Sequence, residues 1–266
     1  MKNKFIYIES YFLLKTNKDY FIMNMIAAMA GITDSNFLKQ YMKDNIDIIT
    51  LGGYSCDNET YNAARKIVDR GRCEFIVKPE DLADHINCEV NKLRNYKPKW
   101  KGKICANIRA TNPESFKNLD NCNVDIIEVN AHCRQPEMIK AKTGQTLLGD
   151  IKRLEAIIEY VCDNLKCELS LKMRANVDNI DTIEIIEMLE SYPIQYIHID
   201  AMKPGVMMAD LDIINTISNI TSKHLIGNNS VKTHKDYINM INSGADSVSI
   251  ARAAVNCDID EIFRIS

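Results

Sequence analysis

The chain has 266 residues, 46% of them hydrophobic and 26% charged, with a formal net charge of −3. That composition excludes a fibrous or disordered chain, and the acidic balance excludes a global pull toward nucleic acid, so any RNA contact would need a local basic patch. Nine cysteines stand at positions 56, 73, 88, 105, 122, 133, 162, 167 and 257 without a C-x-x-C pair, which excludes a zinc ribbon and fits a reduced, cytoplasmic setting.

The N-terminal run "FIYIESYFLL" spans only ten residues and contains Glu9. It lacks the marks of a secretory signal and is far short of the ~20 apolar residues of a membrane span. Residues 1–20 are therefore read as an N-terminal extension or extra strand, and 21–266 as one domain. From there, short β-branched runs alternate with helical patterns. The expected strands are "FIMNMIA" (21–27), "IDIITL" (46–51), "KICANI" (103–108), "VDIIEV" (124–129), "ELSLKM" (168–173), "IQYIHI" (194–199), "KHLIG" (223–227) and "DSVSI" (246–250). Near-continuous apolar runs of this kind suit parallel strands covered on both faces. Eight alternating units close most simply into an α/β fold of the (β/α)₈ TIM barrel type, close to its usual ~250 residues.

Between the strands, a helix is expected over 145–164, where Leu147, Leu148, Ile151, Leu154, Ile157, Ile158 and Val161 form one apolar face. Others are expected over 180–190, 232–243 and 257–266. The longest connection, 57–102, holds two helical patterns and is the expected place for an insertion or lid. Its end, "NKLRNYKPKWKG" (91–102), interleaves Lys92, Arg94, Lys97, Lys99 and Lys101 with Tyr96 and Trp100. Such a run is either a solvated helix end or an RNA-contacting patch.

Barrels of this type place their chemistry on the loops after the C-terminal strand ends. Polar residues gather there. "AAMAGITD" (27–34) follows the first strand; Asn107 and Arg109 end the third; Asn130, His132, Cys133 and Arg134 follow the fourth. Lys172 and Arg174 end the fifth, His198 and Asp200 the sixth, and "GNNS" (227–230) and "ARAA" (251–254) follow the seventh and eighth. Small-residue turns joined to a cation, here Asn228, Asn229, Ala251 and Arg252, suit a phosphate dianion.

These segments resemble the tRNA-dihydrouridine synthases, flavin barrels related to dihydroorotate dehydrogenases. "AAMAGITD" resembles A-P-M-A-G-V-T-D, with Ala28 in place of proline, and "VNAHC" resembles I-N-M-G-C, keeping the N-x-x-C spacing of Asn130 and Cys133. "LSLKMR" resembles V-T-V-K-I-R, "YIHID" resembles T-V-H-x-R, and "LIGNNS" and "ADSVSIARAAV" resemble I-A-N-G-D and A-D-G-V-M-I-G-R-G-A. The likeness runs from about residue 22 to 256.

The resemblance implies an FMN-dependent oxidoreductase acting on the C5–C6 bond of a pyrimidine, most directly the reduction of a tRNA uridine to dihydrouridine, with NAD(P)H as electron donor. It implies FMN contacts from Ala28, Met29, Ala30, Asn107, Lys172, His198, Asn228, Asn229, Ala251 and Arg252. Cys133 would be the catalytic proton partner, its pKa lowered by His132 and Arg134 where these point toward it, and Asn130, His132 and Arg174 would meet substrate. The family's C-terminal helical domain has no counterpart before Ser266, so the short form is expected. A dihydroorotate dehydrogenase-like enzyme acting on a free pyrimidine or other small substrate is the alternative within the superfamily. Outside it stand a flavin-free phosphate-binding isomerase or synthase and a non-catalytic binding barrel. No metal site and no membrane contact are expected.

Overall fold

The structure, a computed structural model, describes residues 22–264. The expected extension over 1–20 lies outside the described residues. Eight parallel strands, β1 (Met23–Ile26), β2 (Ile48–Ser55), β3 (Lys103–Arg109), β4 (Ile126–Ala131), β5 (Glu168–Arg174), β6 (Tyr196–Asp200), β7 (His224–Asn228) and β8 (Ser247–Ile250), pair in chain order, and β8 closes on β1. This is the single-domain (β/α)₈ barrel expected. The helices are α1 (Ser35–Leu38), α2 (Asn58–Asp69), α3 (Leu82–Tyr96), α4 (Pro136–Lys140), α5 (Ile151–Asn164), α6 (Thr182–Leu189), α7 (Leu211–Ser218), α8 (His234–Asn242), α9 (Arg252–Asn256) and α10 (Ile259–Ile262). Among the described residues no helix is long and apolar enough to cross a membrane.

Two helices differ from the sequence pattern. The helix expected over 145–164 is split into a 3₁₀ segment, Gly144–Gly149, and α5, because the Asp150 side chain accepts the Arg153 N–H and so starts a new helix. The helix expected over 257–266 is, among the described residues, only the short α10, started by the Asp258 cap and ended at Phe263, while α9 forms just before it in the segment read as a turn.

Alternation along each strand sorts side chains by face. Outward residues such as Ile49, Ile104, Ile127, Leu171, Ile197, Leu225 and Val248 are buried under the helices in one continuous core. Inward residues stack in layers. At the N-terminal end, Lys103 Nζ meets Glu168 at 2.6 Å and the Tyr196 hydroxyl at 2.8 Å. Met25, Ile48, Cys105, Ile126, Tyr196 and Ile226 then form an apolar layer. Above it the inward positions turn polar: Asn107, Glu128, Ser170, His198 and Ser249 are all buried. Asn130, Lys172, Arg174, Asp200 and Asn228 come next, at the C-terminal mouth, in the register Asn130↔Lys172, Arg174↔Asp200 and Asp200↔Asn228.

The 57–102 connection supplies both a rim element and a wall helix. α2 starts from a capping box between Asp57 and Thr60 and is tied to α4 by Arg70, whose Nε lies 2.9 Å from Glu137. α3 belongs to the wall, and its C-terminal end leads into the start of β3. The basic run 91–102 therefore lies at the N-terminal end of the barrel, opposite the mouth. Lys92 pairs with Glu89, Arg94 with Asp125, and Lys97 donates to the Met42 carbonyl. Trp100 is buried and donates to the Lys43 carbonyl at 3.0 Å. This placement suits a solvated helix end, and an RNA contact through this run would lie at the end of the barrel away from the mouth.

Candidate active site

The loop after β1 is shaped by three residues of "AAMAGITD". Gly31 has φ 74°, and a Cβ there would lie 2.6 Å from the Cys73 and Glu74 backbone, so only glycine fits. Thr33 accepts the Met29 N–H and donates to the Gly52 carbonyl at 2.7 Å, stapling the loop to β2. Asp34 caps α1 by accepting the Phe37 N–H. Ala28, Met29 and Ala30 are left half-buried at the mouth.

The N-x-x-C spacing has a local cause. Asn130 is the last inward residue of β4, and its Oδ1 accepts the backbone N–H groups of His132 at 3.1 Å and Cys133 at 2.9 Å. This side-chain turn fixes the chain where Cys133 leaves the strand. The Cys133 carbonyl accepts from Gln145, and Gly144, at φ 61°, passes so close that a Cβ would stand 2.3 Å from that oxygen. Cys133 itself is half-buried, packed beside Ala63, Ala64, Ile67 and Met138 under α2.

Below Asn130 a hydrogen-bond chain crosses the barrel. Asn130 Nδ2 donates to Asn107 Oδ1 at 2.8 Å, and Asn107 Nδ2 donates to Glu128 Oε1 at 2.7 Å. Glu128 Oε2 lies 2.7 Å from His198 Nδ1, His198 Nε2 lies 2.7 Å from Ser249 Oγ, and Asn228 Nδ2 donates to the same oxygen at 2.6 Å. Since a carboxylate only accepts, His198 carries its proton on Nδ1 and takes the Ser249 hydroxyl on Nε2. Burial works against ionisation of Glu128, yet His198, Lys172 and Asn107 hold its pKa down at about 2. Burial and the Lys172 charge push His198 down to about 4 against the pull of Glu128. The pair is thus carboxylate and neutral imidazole at neutral pH.

Lys172 is 5% exposed, next to Asn130 across the β4–β5 register. Its ammonium makes no hydrogen bond or ion pair among the described residues and is not among the sealed, unpartnered polar atoms, so it opens to the mouth. A buried cation without a contact partner is costly, and Glu128 one layer below is the nearby anion that tempers it.

A second cluster ties the Cys133 loop to the turn after β7. Asp200 Oδ2 meets His132 Nε2 at 2.6 Å and Arg174 at 2.8 Å, while Asp200 Oδ1 accepts from Asn229 Nδ2 at 2.5 Å. Burial opposes ionisation of Asp200, but His132, Arg174 and Asn229 hold it below the usual carboxylate range. Burial, with the Lys172 and Arg174 charges, lowers the pKa of His132 against its bond to Asp200. His132 is therefore a neutral ring turned to Asp200, and does not supply the cation expected beside Cys133.

Asn229 has φ 111° and Ser230 φ 55°, so the turn after β7 keeps a left-handed backbone although glycine is absent. Arg252 opens α9, exposed and without an ion pair among the described residues. Ala251 is half-buried beside it.

The mouth thus brings together Ala28–Ala30, Asn130, His132, Lys172, Arg174, Asn229, Ala251 and Arg252. Asn107 and His198 lie a layer beneath, with both ends of the Asn107 side chain and both His198 ring nitrogens already bonded, so neither reaches the opening as expected. Asn228 likewise has its amide nitrogen on Ser249. Sequence reasoning missed Glu128, the acid that follows the paired isoleucines of "VDIIEV", and gave Asp200 no role. It also gave none to Glu74, which pairs with buried Arg109 at 2.6 Å. A cavity of about 520 Å³ between Leu119, Cys122, Val124, Leu165 and Cys167 lies at the other end of the barrel and holds none of these residues. Among the described residues no group of three or more His, Cys, Asp and Glu could hold a metal ion.

Residues 103–257 match the sequence model of the family described as dihydrouridine synthase (Dus). An uncharacterized protein of Methanocaldococcus jannaschii is 33% identical over 91% of this chain and 93% of its own length. A probable tRNA-dihydrouridine synthase of Rhizobium leguminosarum bv. phaseoli is 30% identical over 52% of this chain and 46% of its own. The N-acetylmannosamine-6-phosphate 2-epimerase of Clostridium perfringens covers 91% of this chain and 90% of its own with a TM-score of 0.52, but at 10% identity it shares the fold alone.

Proposed function

Because this chain belongs to the dihydrouridine synthase family, we propose that it is an FMN-dependent oxidoreductase that reduces the C5–C6 bond of a tRNA uridine, with NAD(P)H as electron donor. The observation that carries the reading is the buried, unpartnered ammonium of Lys172, opening into the same mouth as the loop that Asn130 fixes around Cys133. An ammonium in that state fits a cofactor that gains negative charge on reduction. The left-handed turn at Asn229 and Ser230, with Arg252 near it, fits the phosphate.

FMN, when bound, supplies the hydride. The chain's own groups do the rest. Lys172 neutralises negative charge at the ring, and Asn130 fixes the backbone from which Cys133 moves a proton at Sγ to the other carbon of the double bond. The chain Asn107–Glu128–His198–Ser249 holds Asn130 in place from below. Asp200 holds Arg174 and His132 at the substrate side.

The test is the absorbance spectrum of the isolated protein, followed by cofactor extraction and mass spectrometry of tRNA from a strain lacking it. A flavin spectrum with loss of dihydrouridine at specific positions is expected. A colourless protein that refuses added FMN, or undiminished dihydrouridine, refutes it. Cys133→Ala should keep flavin and lose turnover.

A further inference from the structure

The family pattern has glycine where this chain has His132, and arginine where it has Asp200. Here the two departures meet each other at 2.6 Å. Asp200 is a carboxylate held ionised by Arg174 at 2.8 Å and by Asn229 at 2.5 Å, so it can only accept, and the proton between it and His132 sits on Nε2; Arg174 Nη2, 3.2 Å from that ring nitrogen, donates to the nearer Asp200 oxygen instead. The other ring nitrogen, Nδ1, is then an acceptor. It has no partner among the described residues, it is absent from the sealed polar atoms, and the side chain is 28% exposed. Lys172, one strand over, presents an equally unengaged donor. The Lys172 charge acts on the His132 ring, so a donor and an acceptor with no partner of their own share one part of the mouth, as an adjacent carbonyl and N–H would require.

We propose that His132, oriented by Asp200, accepts a hydrogen bond from the ring N–H of a bound lactam edge whose neighbouring carbonyl faces Lys172. This rests on the oxidoreductase reading above and names a determinant within its site. Two molecules in that reading carry such an edge, the uracil base and the pyrimidine part of the flavin. His132 is the contact residue, and Asp200 is the positioning residue that sets its tautomer. The low pKa of His132 agrees with an imidazole that stays an acceptor at neutral pH.

The experiment compares wild type with His132→Phe, which keeps a ring without an acceptor, and His132→Gln, whose amide oxygen restores one. Dissociation constants for FMN and for 3-methyl-FMN, which lacks the ring N–H, are read from flavin fluorescence on apoprotein, and KM from an unmodified tRNA transcript. If the edge is flavin's, His132→Phe weakens FMN about tenfold, and wild type binds 3-methyl-FMN as poorly. If it is uracil's, FMN binding stays constant while KM rises about tenfold. Recovery in His132→Gln belongs to either outcome. ¹⁵N NMR of labelled wild type at pH 7 should show Nδ1 of His132 unprotonated, and Asp200→Asn should change that signal. Neither constant moving beyond twofold in His132→Phe, or a proton on Nδ1 in wild type, overturns the inference. A wild type that binds no FMN and leaves the transcript unchanged overturns the underlying reading, and this inference with it.

Discussion

Replacing Glu128 by glutamine tests whether the polar layer inside the barrel acts as one unit. Glu128 is fully buried and accepts from Asn107, His198 and, at 3.2 Å, Ser170. Its pKa falls from 4.5 to about 2 in the folded protein, which corresponds to about 3 kcal/mol of stability at neutral pH. The variant's amide has one oxygen where two are needed. Its NH₂ must face a donor, either Asn107 or His198, unless His198 reverses its tautomer and the Ser249 hydroxyl turns away. At the same time the Lys172 ammonium loses the anion beneath it. A loss of about 3 kcal/mol in a chain of this size lowers Tm by roughly 6–12 °C. The pH dependence separates this account from a generic packing defect. A depressed carboxylate contributes fully above its unfolded pKa near 4.5, and the contribution fades as pH falls through about 2. Melts of wild type and Glu128→Gln should therefore differ most at pH 7, begin to converge as pH falls below about 4.5 and meet only near pH 2, since the protonated acid and the amide are nearly alike. A Tm within about 2 °C of wild type at pH 7, or a gap that does not change with pH, would refute the reasoning.

Lys172→Met should fold, judged by circular dichroism, yet retain FMN at least about tenfold more weakly on ultrafiltration, because a charged contact to the cofactor is lost. Gly144→Ala places a Cβ 2.3 Å from the Cys133 carbonyl at a residue with φ 61°, so turnover should fall more than about tenfold through a displaced loop, with flavin still bound. Lys99→Gln with Lys101→Gln should leave tRNA affinity within about twofold in filter binding, because both lie at the end of the barrel opposite the mouth. A marked loss would place the RNA path on that end.

The barrel was legible because its strands announce themselves twice. β-branched residues supply the outward row, and an alternating inward row turns polar only toward the C-terminal ends. What the linear sequence cannot carry is which inward residues meet. Asn107, Glu128, His198 and Ser249 come from β3, β4, β6 and β8, and only closure of the sheet makes them neighbours. Asn107 and His198 look like mouth residues when read strand by strand; the stagger of the strands sets them one layer deeper, where they support Asn130. Glu128 did leave a signal. An acid flanked by buried isoleucine and valine, two residues before the strand's last asparagine, must point inward and must find donors there. His132 and Asp200 left a weaker one, visible only as a pair. Each alone is a departure from the family pattern, and without Asp200 the His132 ring would lack the acceptor that sets its tautomer. Together they satisfy each other and leave one imidazole nitrogen open. A site built this way separates support from contact. The deep layer, from Asn107 to Ser249, fixes where Asn130 can stand and so where the Cys133 loop leaves β4. The rim layer, from Asp200 to His132 and Asn229, links that loop to the turn after β7. Disturbing the first should alter stability and loop placement together, whereas disturbing the second should alter ligand affinity first.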